Sequence, residues 1–185
     1  MARAGVFGAL AAVLAAAGCD GDAFLLRWDA SPDTVVLYSL AREDLDLHSA
    51  FNFNQRVTVS IERPGAASLW DVAVDTRGSE LVLVPPGAVG IESRARIAEI
   101  PGRSFGDIEE APFDTILYSG DTPVPARLGS VYIVRTDSRS RTLGGGCSYY
   151  AKLEPLTIDV PIGLLEFVFD ASPVCNDRRV VPPDL

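Results

Sequence analysis

The sequence predicts an all-β fold, either a single antiparallel β-sandwich or an irregular barrel-like domain with short helical turns. Short segments rich in β-branched and aromatic residues recur along the chain, with turn-forming residues between them. The 16 glycines and 13 prolines are spread through the sequence, which suits many turns and no long helix. The segment RVTVSIER also alternates apolar and polar residues with the period of two that is typical of a half-buried strand.

The predicted strands begin at residue 34 and continue almost to the end of the chain. They are TVVLYSL (34–40), RVTVSIER (56–63), LWDVAVD (69–75), ELVLVPPG (80–87), SVYIVRT (130–136) and a closing hairpin between residues 147 and 175. The segments SRARIAEI (93–100) and SFGDIEEAP (104–112) are the best places for a short helix or turn. The segment LAREDLDLHSAF (40–51) is ambiguous between a strand and a helix or turn.

The closing hairpin predicts a disulfide between Cys147 and Cys175. In an antiparallel hairpin, the residue numbers of each facing pair add up to the same total. The register that places Cys147 opposite Cys175 also places two residues of opposite charge and two apolar residues opposite each other. These pairs are Lys152 with Asp170 and Leu153 with Phe169. An exported protein meets an oxidising compartment, which favours the disulfide. Two reduced, buried thiols are the alternative.

Pro155 interrupts the first strand of this hairpin. Since proline has no N–H to donate to the ladder, we expect a bulge there and a shifted register towards the turn. The turn itself is predicted at VPIG, residues 160–163.

The N-terminus predicts export. Arg3 is followed by residues 4–17, which are only Ala, Gly, Val, Leu and Phe, and this run is too short for a transmembrane helix. The residues AAGC (16–19) resemble the lipobox of bacterial lipoproteins, which implies that Cys19 is lipidated and becomes the first mature residue. An ordinary signal peptide cut near Cys19 is the alternative.

These features predict three parts of the chain. Residues 1–18 form the signal peptide, residues 19–23 a lipidated tether, and residues 24–185 one mostly-β domain. Loss of Arg3 with the leader changes the net charge from −9 to −10. So acidic a surface argues against nucleic acid and anionic lipid as partners.

The sequence indicates no catalytic set and no metal site. It has one histidine, His48, and it has neither a G-x-S-x-G motif nor a clustered His/Cys pattern. Adjacent acids occur at residues 43–44 and 109–110, and they keep a carboxylate-based hydrolase open as an unfavoured alternative.

Five short motifs resemble, in order, the HmuY-like family of bacterial lipoproteins. They are LWDVAVD, SFGDIEEAP, SVYIVRT, YYAKLEPLTID and LLEFVFD, and they span about residues 69–170. The resemblance implies an all-β domain and, as in the best-known members, haem capture. Those members hold the iron with paired histidines or with methionines, and the mature chain has one histidine and no methionine.

Haem ligation would therefore need a single histidine or a tyrosinate. The tyrosines available are Tyr118, Tyr132, Tyr149 and Tyr150, and the weak candidates are His48, Tyr118, Tyr149 and Tyr150. We predict a non-enzymatic, lipid-anchored protein of the bacterial cell envelope, periplasmic or surface-exposed, without a required cofactor. Its β domain would bind an unidentified protein or small molecule, with haem capture as the alternative.

Overall fold

The computed structural model describes residue 28, residues 32–140 and residues 146–182, with the backbone alone at residues 139–140. The predicted signal peptide, Cys19 and the tether at 19–23 lie outside the described residues, and they stay predictions. Within the described part of the chain, no helix combines the length and apolar character needed to cross a bilayer.

The described residues form short strands and single 3-10 turns. The strands are β1 (Asp33–Tyr38), β2 (Ala50–Asn52), β3 (Val57–Val59), β4 (Val72–Arg77), β5 (Glu80–Val84), β6 (Arg96–Pro101), β7 (Val124–Pro125), β8 (Ser130–Arg135), β9 (Arg139–Ser140), β10 (Gly146–Cys147), β11 (Tyr150–Asp159) and β12 (Leu164–Ala171). The 3-10 turns are Ala66–Ser68, Pro86–Val89, Phe105–Asp107 and Thr115–Leu117.

Two five-stranded antiparallel sheets confirm the predicted all-β fold. Sheet I has the strand order β1-β12-β11-β8-β6, and sheet II has the order β3-β2-β4-β5-β7. Strands β9 and β10 form a separate two-stranded pair. Neither five-stranded sheet closes on itself among the described residues, so the sandwich describes this fold and the barrel does not.

Both sheets contribute side chains to one hydrophobic core between them. At its centre lie four phenylalanines whose ring centroids are 4.8–6.4 Å apart, most of them packed edge to face. They are Phe51, Phe53, Phe167 and Phe169. Because burial of one such side chain contributes about 1.5–3 kcal/mol, this cluster is a main source of stability.

The closing hairpin has the predicted register. Lys152 lies opposite Asp170 and Leu153 lies opposite Phe169, and the ladder shifts between Pro155 and Thr157. The chain turns at residues 160–163, as predicted. Beyond the end of this ladder, Cys147 and Cys175 lie at disulfide distance, with 5.4 Å between their Cα atoms.

The helix-or-turn prediction for residues 93–100 is wrong at its C-terminal half, which forms β6. Arg96–Pro101 pairs with β8 along its whole length. Alanine, arginine and glutamate favour helices, but pairing with a neighbouring strand overrides that weak preference. Residues 104–112 do contain a short turn, at Phe105–Asp107, and the strand predicted at 56–63 is limited to Val57–Val59.

Candidate functional site

A row of three polar side chains crosses the outer face of sheet I. Arg96 on β6 lies directly opposite Arg135 on β8, and Arg135 lies directly opposite Tyr150 on β11. Directly paired residues of neighbouring strands project from the same face of a sheet. The side chains of Arg96, Arg135 and Tyr150 therefore project from neighbouring positions at one end of this face.

The rest of the outer face is covered by the loop after β6 and by the C-terminal segment. The apolar residues that these parts bury together are Ala98, Ile108, Ala111, Val131, Ile133 and Val180. Backbone hydrogen bonds join the two covering segments, from Ala111 N to Arg178 O and from Val180 N to Glu109 O, both at 2.8 Å. The loop after β6 continues at residues 112–118 along the row of arginines and leaves a recess between itself and the sheet.

Lys152 fastens the covering loop to the sheet. Its side chain is 2% exposed, and its Nζ donates hydrogen bonds of 2.8 Å to the carbonyls of Phe105 and Ile108. Glu154 accepts a hydrogen bond of 2.6 Å from the backbone N–H of Phe105. Burial lowers the pKa of Lys152, against the opposing charges of Asp170 and Glu109.

The open end of the face is a groove of about 610 Å³, with a smaller cavity of about 50 Å³ beside it. We call the two together the arginine groove. The residues that line them are Arg96, Pro112, Phe113, Asp114, Thr115, Tyr118, Arg135, Tyr150 and Arg178. Three of the chain's cations thus meet in one place on a protein with a net charge of −9.

The guanidinium groups of Arg96 and Arg135 have no hydrogen bond or ion pair with any residue that the structure describes. The Nε of Arg135 is buried without an acceptor. Two like charges directly opposite each other destabilise a sheet, and a buried N–H without an acceptor costs about 1–3 kcal/mol. Among the described residues, the fold thus holds two cations in neighbouring strands without a counter-ion.

The other charges of the groove are engaged. Arg178 forms an ion pair with Glu110, and its guanidinium lies 5.1 Å from the ring centroid of Phe113. Asp114 accepts a hydrogen bond of 2.9 Å from Ile116 N and so caps the Thr115–Leu117 turn. The positive charge that is available to a ligand therefore comes from Arg96 and Arg135.

Tyr118 contributes a neutral phenol to the groove. Its hydroxyl donates a hydrogen bond of 3.1 Å to the carbonyl of Pro112. Burial raises the pKa of Tyr118 well above its usual value, the neighbouring Tyr150 raises it further, and Arg178 and Arg135 oppose this. The phenol thus keeps its proton at neutral pH despite the cations beside it.

The structure brings together two of the predicted ligand candidates, Tyr118 and Tyr150, and separates the others from them. His48 is half-buried outside the groove, and its carbonyl accepts a hydrogen bond of 2.8 Å from Tyr38 N. Tyr149 is half-buried and pairs through its backbone with Thr136. Within the described ranges, no three residues of the His, Cys, Asp and Glu types group to hold a metal ion.

Tyr132, the remaining phenol considered from the sequence, belongs to the core between the sheets. It is fully buried, and its hydroxyl donates a hydrogen bond of 2.7 Å to the carbonyl of Pro125. Burial raises the pKa of Tyr132 to about 12, with a further contribution from the charge of Glu99. Its position assigns it to packing.

A second cavity, of about 490 Å³, lies between the loop after β1 and the turn at residues 160–163. Arg42 lines it, but this side chain is 3% exposed and its nitrogens are engaged within the protein. Nε donates to Leu47 O at 2.6 Å, Nη1 to Ser39 O at 3.4 Å and Nη2 to Glu62 at 2.6 Å. Arg42 is a structural cation.

The two predicted acidic pairs lie in different places. Glu43 and Asp44 both line the cavity beside Arg42, and Asp44 accepts a hydrogen bond of 2.9 Å from Asp46 N in the same loop. Glu110 instead forms the ion pair with Arg178 at the arginine groove. The sequence signal that could have indicated the groove was the arginine near one end of each of two strands, 96–101 and 130–135.

The chain was compared with protein-family models, with curated proteins and with solved structures, and none of them matches it. The resemblance to the HmuY-like family and to the lipobox of lipoproteins stays a prediction from sequence.

Proposed function

We propose that this chain is a non-enzymatic, lipid-anchored protein of the bacterial cell envelope whose β domain binds a small anionic ligand in the arginine groove. The observation that carries this proposal is the facing pair of Arg96 and Arg135, neither of which has an acidic partner in the part of the chain that the structure describes. An oxyanion between them would accept the hydrogen bonds that the protein leaves unmade and would relieve their repulsion. Guanidinium groups suit this task because their planar fork matches carboxylate and phosphate geometry.

The lipid anchor is proposed from the residues AAGC at 16–19. Two or more acyl chains on Cys19 would hold the domain durably at a membrane, since each buried methylene contributes about 0.8 kcal/mol. The test is metabolic labelling with radioactive palmitate, which should mark the natural chain but not the Cys19→Ser variant. An unlabelled natural chain recovered in the soluble envelope fraction would instead support the ordinary signal peptide.

Anion binding is testable by thermal unfolding, because a ligand that binds only the folded state raises Tm. Phosphate or acetate should raise Tm more than chloride at matched ionic strength. This surplus should disappear in the double variant Arg96→Met, Arg135→Met. It should persist in Arg77→Met, where an exposed arginine of sheet II pairs with Asp75. An equal surplus in the double variant would mean a general salt effect and would contradict the proposal.

Haem capture is the second candidate, and the observation that favours it is that Tyr118 and Tyr150 line one groove with arginines able to pair with carboxylates. The raised pKa of Tyr118 counts against tyrosinate ligation at neutral pH. Titration with hemin decides between the two. A sharp Soret band that is lost in Tyr118→Phe or Tyr150→Phe would support haem capture, and no band at micromolar hemin would dismiss it.

A further inference from the structure

Together with Glu110, which pairs with Arg178, the charged residues of the arginine groove carry one more positive than negative charge. Arg96, Arg135 and Arg178 stand against Glu110 and Asp114. One monoanionic group would balance this set. A carboxylate has that charge, and it accepts paired hydrogen bonds from a guanidinium fork.

The same groove offers apolar surface next to the cations. Phe113 is 85% exposed at its rim, and the Thr115–Leu117 turn beside it exposes Ile116 to 88%. The rings of Tyr118 and Tyr150 form the inner wall. Apolar side chains so fully exposed beside a recess mark a contact surface, and the groove's volume of about 610 Å³ lies in the range of sites for organic ligands.

We propose that the ligand of the arginine groove is an amphiphilic organic carboxylate. Its head would lie between Arg96 and Arg135, and its apolar body would lie along Phe113 and Tyr150. This inference rests on the proposed function, and it adds the chemical class of the ligand. A bare ion would satisfy the arginines but would leave the exposed rim uncovered.

The experiment compares a whole ligand with its two halves by calorimetric titration of the purified full chain. Phenylacetate supplies head and body, acetate supplies the head alone, and phenylacetamide supplies the body without charge. Phenylacetate should bind at least tenfold more tightly than either half, because burial of a phenyl ring and charge-assisted hydrogen bonds each contribute a factor of about ten or more.

Two variants separate the contributions. Arg135→Met should weaken acetate and phenylacetate alike, by about tenfold or more, while Phe113→Ser should weaken phenylacetate and leave acetate unchanged. The exposed Arg77→Met is the matched control, with unchanged affinity for all three compounds. Such a carboxylate could be an aromatic acid or a fatty acid. Comparison of the affinities for phenylacetate and for decanoate distinguishes these two classes of ligand.

The outcomes distinguish this inference from the proposed function. If acetate binds as tightly as phenylacetate and Arg135→Met abolishes both, the groove is an anion site but the amphiphilic ligand is overturned. If phenylacetamide binds as tightly as phenylacetate, the carboxylate head is overturned. If none of the anions binds, the proposed function itself fails.

Discussion

Two cavities of this protein contain arginine, and they treat its charge in opposite ways. At the cavity near residues 160–163, Arg42 donates hydrogen bonds to two carbonyls and to Glu62, so its charge is paired within the fold. At the arginine groove, Arg135 has a buried Nε without an acceptor among the described residues, and a second arginine lies directly opposite it. A cation in a cavity is therefore a weak indicator of function, whereas a cation that the fold leaves without a partner is a strong one.

The predicted disulfide gives the largest expected effect, because it would hold the C-terminal segment that carries Arg178. Cys147 and Cys175 are separated by 28 positions in the sequence. Replacement of both cysteines by serine should lower the free energy of unfolding by about 3–4 kcal/mol in the chain-entropy account. Urea denaturation measures this loss.

The same variant sharpens the comparison between the cavities. Hydrogen exchange should increase at Val180 N, which bonds to Glu109 O beside the arginine groove, and should change little at Ser39 N, which bonds to Gly163 O near Arg42. Two free thiols in the denatured natural protein would contradict the disulfide on which this expectation depends.

Arg42→Met should give the next largest effect. The change removes a charge from a nearly fully buried side chain, takes the side-chain donor from the carbonyl of Leu47 and removes one of the two donors to the carbonyl of Ser39, which keeps the backbone N–H of residue 42. We expect a loss of about 3 kcal/mol in the free energy of unfolding, measured by urea denaturation. The control is the exposed Arg77→Met, for which a change below about 0.5 kcal/mol is expected.

Alkaline pH should reveal the burial of Tyr132, the phenol assigned to packing. The pKa of Tyr132 is raised to about 12 in the folded protein, so the folded state keeps a proton that the unfolded state loses near pH 10. The contribution of Tyr132 to the free energy of unfolding is then fully present below pH 10. It is lost as the pH rises towards 12, and the loss is on the order of 2 kcal/mol. In Tyr132→Phe this fall should be smaller, and an identical pH profile would contradict the assignment.

Arg135→Met should give the smallest effect and the opposite sign. The change removes a buried N–H without an acceptor and ends the repulsion from Arg96, while the aliphatic stem is retained. Without added anions, the variant should be more stable than the natural protein by about 0.5 kcal/mol. Equal destabilisation by Arg135→Met and Arg42→Met would remove the difference between the two cavities.

The sequence predicted the parts of the fold that local chemistry determines. Pro155 cannot donate a ladder hydrogen bond, and the pairing of Lys152 with Asp170 matches opposite charges across the hairpin, so bulge and register followed from a few residues. Residues 96–101 could not be predicted as a strand, because their composition favours a helix and their partner strand begins about 30 residues later.

The groove depends on that missed pairing and could not be predicted without it. Arg96 and Arg135 become neighbours only through the register of two strands that are distant in sequence. Of the adjacent Tyr149 and Tyr150, only Tyr150 lines the groove, and the sequence gives no reason to choose between them until the ladder with β8 fixes which face each one occupies.

The central claim is tested most directly by the NMR signals of the arginine Nε–H groups during titration of the protein with phenylacetate. We expect a saturable shift of the Arg135 signal, with a smaller shift at Arg96, while the Arg42 signal stays in place. An Arg135 signal that does not move at saturating phenylacetate, or one that moves no more than the Arg42 signal, would contradict the claim.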